Sequence, residues 1–186
     1  ESQPVANEWF WWPLAGDAAV QVQTAWLVGD LPGNRSFGPS AEDFEPMAAW
    51  THVKSLQLYG ATITDETLAV IRNFRELDSL ILIQTGISDA ALRHLEGLDS
   101  FRFLAISNRS PHPDRAYGTL TSASARYVAR LKGLESLRLS GVPMDEEALR
   151  LIALNLKHLR SLNLRKCSIT DEGLQHLARL PNLHRL

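Results

Sequence analysis

Hydrophobic positions repeat with a nearly constant period along most of this chain. An apolar-x-x-apolar-x-apolar segment occurs five times, starting at residues 53, 77, 101, 134 and 159, and a sixth copy begins at Leu183. The starts are 24, 24, 33, 25 and 24 residues apart, so four of the five steps agree within one residue. A fixed period of this size predicts an array of stacked units, each of which packs on its neighbours.

Each unit predicts one strand followed by one helix. The first segment, Val53-x-x-Leu56-x-Leu58, alternates apolar and polar side chains with the period of two that a strand has. Apolar residues then recur at a spacing of three, which is the one-sided pattern of a helix. Between the two patterns lie the tripeptides Ile63-Thr64-Asp65, Ile87-Ser88-Asp89, Leu120-Thr121-Ser122, Met144-Asp145-Glu146 and Ile169-Thr170-Asp171.

The combined pattern LxxLxLxxxxITDxxLxxLxxL resembles the leucine-rich repeat, and is most similar to the cysteine-containing, ribonuclease-inhibitor-like class. The resemblance covers residues 40–186. It implies an α/β fold, a right-handed solenoid bent into a horseshoe arc, with a parallel β-sheet on the concave face and α-helices on the convex face. Such repeats resemble those of bacterial scaffold proteins and of the substrate-recognition subunits of ubiquitin ligases.

The N-terminal part differs in composition from the repeats. Residues 1–50 contain all five tryptophans and seven acidic residues but a single base, Arg35. We interpret residues 1–39 as a Trp-rich segment that covers the open end of the core, because the terminal units of solenoids need such a cap. Residues 40–186 then form the repeat array, with an incomplete first unit at 40–50.

The sequence stops at Leu186, before the sixth strand is complete. An uncovered strand edge can pair with another chain. Two interpretations remain open: the natural protein continues, or this edge associates with a partner. Because the first residue is Glu1, targeting and compartment are also undetermined.

The third unit carries a nine-residue insertion, so that 13 residues (107–119) lie where the other units have four. Loops on a rigid scaffold often bind ligands, which makes Arg109, His112 and Tyr117 candidate contact residues. Two alternatives remain: a mobile surface loop, or a loop that folds over the concave face.

Composition excludes several classes of protein. The net charge of −2 offers no field for the phosphates of a nucleic acid, and no apolar run is long enough to cross a membrane. The single cysteine, Cys167, occupies a unit position also held by Ala61, Thr85 and Val142, and is predicted to be a buried thiol.

No residue set predicts catalysis, a metal or a cofactor. The repeated Thr-Asp and Ser-Asp pairs fall where helices begin, so we interpret them as helix caps. His94 and His176 occupy the same unit position three units apart, too far to share a metal. Phosphate-loop, HExxH and GxSxG motifs are missing from the sequence.

The side chains between the strand leucines predict the binding surface, because they point away from the core. Tyr59, Ile81, Ile83 and Phe103 would form an apolar patch, which Arg138, Asn163 and Arg165 extend with polar and basic groups. The sequence thus predicts a protein- or peptide-binding module. The alternative is the substrate-recognition or regulatory domain of a larger enzyme, such as a ubiquitin ligase-like effector.

Overall fold

A computed structural model describes residues 24–28 (backbone alone), 52–60, 63–108 and 120–186. Its centre is a six-stranded parallel sheet whose strands follow one another in chain order. The strands are β1 (Thr24–Val28), β2 (Ser55–Tyr59), β3 (Ser79–Ile83), β4 (Phe103–Ser107), β5 (Ser136–Ser140) and β6 (Ser161–Arg165).

Neighbouring strands pair in the register that the repeat predicts. Leu56 lies opposite Leu80, and the same row continues through the equivalent leucine of every later strand. β1 joins the sheet in this register too, with Leu27 opposite Leu58. Part of the predicted N-terminal segment therefore continues the sheet, while the boundary at residue 39 remains a prediction.

The second half of each unit is helical, but not always α-helical. The α-helices are α1 (Asp65–Ile71), α2 (Ala125–Val128), α3 (Glu146–Asn155) and α4 (Asp171–Leu177). The second unit instead has a 3₁₀ helix at Asp89–Leu95, and a short 3₁₀ turn at Ser122–Ser124 precedes α2. Because a 3₁₀ helix has three residues per turn, Leu92 and Leu95 both face the core in it, and Leu98 beyond its end is also buried. An apolar spacing of three therefore does not distinguish the two helix types.

The core lies between the sheet and the helices. The strand leucines Leu56, Leu80, Leu137 and Leu162 are fully buried, as are Leu68 and Leu149 on the helices. One continuous hydrophobic cluster runs through the described units, because no single strand and helix can bury its own apolar side. None of the described helices is long and apolar enough to span a membrane.

The last described unit is less buried than the others. Leu174 on α4 is 40% exposed, although Leu149, at the same position of the preceding unit, is fully buried. Of the series expected to be buried, Leu177 on α4 and Leu180 beyond its end are buried, but Leu174 is not. The next strand begins beyond it, since Leu162 N donates to Arg185 O at 2.9 Å. Leu174 is exposed because no described helix packs on the outer side of α4.

Candidate binding surface

The predicted contact residues of the strands share the sheet face opposite the helices, the concave face. The strand residues alternate between this face and the core. Three rows cross the five strands β2–β6, and their register fixes which side chains are neighbours. The rows are Ser55-Ser79-Phe103-Ser136-Ser161, Gln57-Ile81-Ala105-Arg138-Asn163 and Tyr59-Ile83-Ser107-Ser140-Arg165.

The apolar half of this face lies on β2–β4. Tyr59 is the register partner of Ile83, and Ile81 lies two residues before Ile83 on the same strand. These side chains and Phe103 are half-buried rather than fully exposed. Tyr59 Oη donates to Gln57 Oε1 at 3.1 Å, which ties two residues of β2 together. The predicted patch therefore exists as a set of neighbours with a smaller exposed area than expected.

The basic half lies on β5 and β6. Arg138 is exposed, and its guanidinium lies 5.3 Å from the centre of the Phe103 ring, close enough for a cation–π contact. Asn163, the register partner of Arg138, is exposed as well, and so is Arg165 at the end of β6. The Phe103–Arg138 contact thus joins the apolar and basic halves into one surface.

Charge is segregated between the two sides of the array. Every described acidic residue lies outside the strands and outside the residue that follows each strand. Most ion pairs of the described part link neighbouring units on the helix side or at the edge where helices lead into strands: His52–Glu76, Arg130–Glu96, Arg160–Glu135 and His176–Glu146. By contrast, Arg138 and Arg165 have no ion pair within the described residues.

Helix capping follows the prediction at three of the tripeptides. Thr121 Oγ1 accepts a hydrogen bond from Ala123 N at 3.1 Å, and Thr170 Oγ1 accepts one from Gly173 N at 3.3 Å. Asp145 Oδ1 accepts from Ala148 N at 2.8 Å, so a carboxylate replaces the hydroxyl in that unit. These groups satisfy backbone N–H donors that a helix start leaves without partners.

The tripeptide aspartates also connect neighbouring units, which the sequence analysis missed. Asp65 accepts hydrogen bonds from both the backbone N–H and the hydroxyl of Ser88 in the next unit. Asp89 accepts the same two bonds from Thr121, at 2.8 and 2.6 Å. The sequence predicts that Ser88 caps its own helix. In the structure, Ser88 instead donates to Asp65 of the preceding unit.

The hydrogen bonds between tripeptides of neighbouring units, Asp65–Ser88 and Asp89–Thr121, form a ladder along the helix starts. Its next step reverses donor and acceptor. Ser122 stands where the first two units have aspartate, and its hydroxyl donates to Asp145, which stands where they have Thr or Ser. This hydrogen bond, followed by that from Ala148, lowers the pKa of Asp145 below its ordinary value of 3.8. The exchange of residue types between two positions one unit apart is the sequence signal that would have revealed the ladder.

Cys167 is buried, as predicted. Its Sγ contacts the carbonyl oxygens of Leu139 and Arg165, both at 3.4 Å. Burial raises the pKa of this thiol above its ordinary value, and two backbone hydrogen bonds oppose the shift. A raised pKa keeps the group as a thiol at neutral pH, which is the unreactive form.

The histidines on the helices lie apart from one another. His94 has a lowered pKa, because of partial burial first and then of Arg93 and Arg72. His176 Nε2 lies 3.0 Å from Glu146 Oε1 on α3. Within the described ranges, no three His, Cys, Asp or Glu side chains come together as a possible metal site.

Three predicted contact residues, Arg109, His112 and Tyr117, lie outside the described residues, as do the N-terminal tryptophans and the incomplete unit at 40–50. The flanking residues Ser107 and Asn108 are described. Asn108 N donates to Ser140 O at 3.1 Å, so the insertion leaves the sheet beside β5.

A family model described as leucine-rich repeat matches residues 155–178, which include β6 and α4. Its unit matches the strand–helix unit that the register repeats from β2 to β6. Residues 155–178 thus form a leucine-rich repeat, and the described part of the chain has the leucine-rich-repeat fold. The leucine-rich repeats here also include the 3₁₀ variant of the second unit, and the finer assignment to the cysteine-containing class remains a prediction.

Solved structures of two Listeria monocytogenes proteins are similar to this leucine-rich-repeat chain. Internalin C2 superposes with a TM-score of 0.51 and 21% identity, covering 75% of this chain and 54% of its own. Internalin InlF gives a TM-score of 0.46 and 20% identity, covering 75% and 49%. The chain thus spans about half the length of these structures. No curated protein matched the sequence.

Proposed function

We propose that this chain is a protein- or peptide-binding module that uses its concave face. The observation that carries the proposal is the contact of Phe103 with Arg138, which joins an apolar group to exposed cations in the middle of the sheet. Aromatic residues and arginines are enriched at the centres of protein interfaces. Tyr59, Ile81 and Ile83 extend the surface on one side, and Asn163 and Arg165 on the other.

The size of the concave face favours a peptide. Six strands at a spacing of about 4.8 Å, each with about 12 Å of usable length, give a projected area of roughly 290 Å². A stable interface between folded proteins needs about 800 Å² on each side. The sheet alone therefore suits an extended segment.

The insertion at 107–119 supplies the additional contacts that a folded partner would need. Because Ser107 belongs to the last row of the concave face, the insertion starts beside the proposed surface. Arg109, His112 and Tyr117 are its proposed contact residues. The strand edge beyond β6 is a second proposed route of association, through pairing with another chain.

Site-specific photocrosslinking tests the proposed function. A benzophenone amino acid at Ile81 is expected to crosslink a discrete partner in a lysate of the cells that make the protein, and the same group at Leu154 on α3 is the convex-face control. Phe103→Ala combined with Arg138→Glu should abolish that product. Leu154→Ala combined with Arg179→Glu makes comparable changes at two exposed residues, on α3 and just after α4, and should leave it intact.

Equal crosslinking from Ile81 and Leu154, or a product that survives Phe103→Ala/Arg138→Glu, would refute the concave site. The recognition domain of a larger enzyme would use the same face, so the experiment also applies to that alternative.

A further inference from the structure

We infer that the bound segment is an extended acidic peptide, and that Lys166 acts with Arg138 and Arg165 to select its carboxylates. This inference rests on the proposed function and names the chemistry of the partner. Lys166 directly follows β6 and is exposed.

The backbone of Lys166 has the left-handed conformation that glycine adopts most easily, with φ +56°. The same position, directly after the strand, is Gly60 in the first unit, Gln84 in the second and Gly141 in the fourth, all with positive φ. A lysine at this position is strained where glycine would not be. Because Gln84 has the same conformation, this conformation belongs to the turn of the repeat, and the role inferred for Lys166 rests on its charge beside Arg165.

The three cations Arg138, Arg165 and Lys166 have no acidic partner within the described residues. Three exposed arginines on the helix side or its edges do have one: Arg130 lies 3.0 Å from Glu96, Arg150 lies 2.7 Å from Glu147, and Arg160 lies 3.7 Å from Glu135. Because no described strand carries a carboxylate, none of the described strand residues neutralises the cations. The resulting positive potential attracts acidic groups and disfavours basic ones.

The spacing of the cations matches an extended chain. Arg138 and Arg165 lie on adjacent strands and two residues apart in register, since Arg165 pairs with Ser140. Strands about 4.8 Å apart and a rise of about 3.3 Å per residue separate their Cα atoms by roughly 8 Å. Alternate side chains of an extended peptide are roughly 7 Å apart and point the same way. Acidic residues at positions i and i+2 can therefore face both arginines.

Phe103 determines which residue of the bound peptide should lie next to the acidic pair. The Phe103 ring lies against Arg138 on the side away from β6, and Ile81 is next along the sheet. An apolar side chain that precedes or follows the acidic pair would pack on Phe103. A nucleic acid fits less well, because the half-buried Tyr59 and Phe103 offer little flat ring surface for stacking bases.

The test uses three fluorescein-labelled probes and the full chain. The first is a decapeptide in which Glu alternates with Leu and Phe, the second has Gln in place of every Glu, and the third is a deoxythymidine decamer. We expect the Glu peptide to bind about tenfold more tightly than the Gln peptide, with a preference that falls as salt is raised.

Lys166→Gly separates binding from folding. This variant should weaken binding of the Glu peptide about threefold or more, leave binding of the Gln peptide unchanged, and leave the Tm equal or higher because the strain is relieved. Lys132→Gly is the matched control. It removes an exposed lysine from the turn before β5, at the other end of the strands, and should not change the preference for the Glu peptide.

Three results would overturn the inference: no binding of the Glu peptide, unchanged binding of it by Lys166→Gly, or tighter binding of the oligonucleotide. Equal affinity for the Glu and Gln peptides, both lost in Phe103→Ala, would also overturn it but leave the proposed function standing. If crosslinking at Ile81 fails as well, the proposed function falls with it.

Discussion

The helix side and the concave face of the array differ in how their charged side chains are paired. On the helix side and its edges, acidic and basic groups of neighbouring units pair, as in Glu96–Arg130 and Glu135–Arg160. On the concave face, Arg138 and Arg165 have no such partner among the residues that the structure describes. Exposed ion pairs each contribute little to stability, so the difference concerns what each side is free to bind. The helix side pairs several of its charges, whereas the described residues of the sheet side leave Arg138 and Arg165 available.

The largest expected effect separates adjacent residues of β5. Leu137→Ala should lower the free energy of unfolding by about 2–5 kcal/mol, because this leucine is fully buried and its loss leaves a cavity. Arg138→Ala should change stability by less than about 0.5 kcal/mol, because its side chain is exposed. Urea denaturation of both variants measures the contrast. Similar losses from the two would mean that the concave face is part of the structural support.

A smaller effect is expected at the reversed step of the ladder. Asp145→Ser alone should lower the free energy of unfolding by about 1 kcal/mol, because Ser122 loses its carboxylate acceptor. The double variant Ser122→Asp/Asp145→Ser restores the arrangement of the two earlier steps and should recover most of that loss. A double-mutant cycle from urea denaturation measures the coupling. Additive effects would show that the two residues do not interact.

The hydrogen bond between Ser122 and Asp145 also predicts that stability depends on pH. The pKa of Asp145 is lower in the folded chain than its ordinary value of 3.8, because of Ser122 first and Ala148 second. A carboxyl of this kind stabilises the fold above its unfolded pKa, and that contribution is lost as the pH falls through the folded pKa. The stability difference between the wild type and Asp145→Ser should therefore be constant near neutral pH and shrink below about pH 4. A difference that persists under acid would exclude this origin.

The last effect, of about the same size as that of Asp145→Ser but of opposite sign, is expected in the core. Thr85 Oγ1 is buried and has no hydrogen-bond partner within the described residues, whereas the equivalent position is Val142 in the fourth unit. Thr85→Val should therefore stabilise the chain by about 1 kcal/mol, which a rise in Tm would report. The reverse change, Val142→Thr, is the control and should destabilise. A loss of stability in Thr85→Val would show that its hydroxyl has a partner.

The sequence predicted best what depends on a single unit and its periodicity. The strand leucines, their register and the buried Cys167 all follow from positions that recur, so one unit predicts the next. The exposure of Leu174 did not follow, because burial of a helix leucine depends on the unit packed beyond it. The half-buried state of Tyr59 and Ile83 also depends on neighbours across strands, which periodicity does not describe.

The cross-unit bonds of Asp65 and Asp89 escaped prediction for a related reason. Capping by a tripeptide is local, and the Thr-Asp and Ser-Asp pairs suit it by residue type alone. Whether a carboxylate turns to its own helix or to the next unit depends on how closely the helices stack, which the spacing of leucines leaves undetermined.

The exchange of Ser122 and Asp145 restricts how such an array can be shortened or lengthened. Deleting residues 77–100 would bring Asp65 against Thr121, a pair of the same type as Asp89 and Thr121. Deleting residues 101–133 would instead bring Asp89 against Asp145, two carboxylates that repel each other at neutral pH. The second unit can therefore be duplicated or lost without creating a new type of pair, whereas the third unit is needed to connect a Ser-Asp unit to the unit in which Asp145 caps the helix.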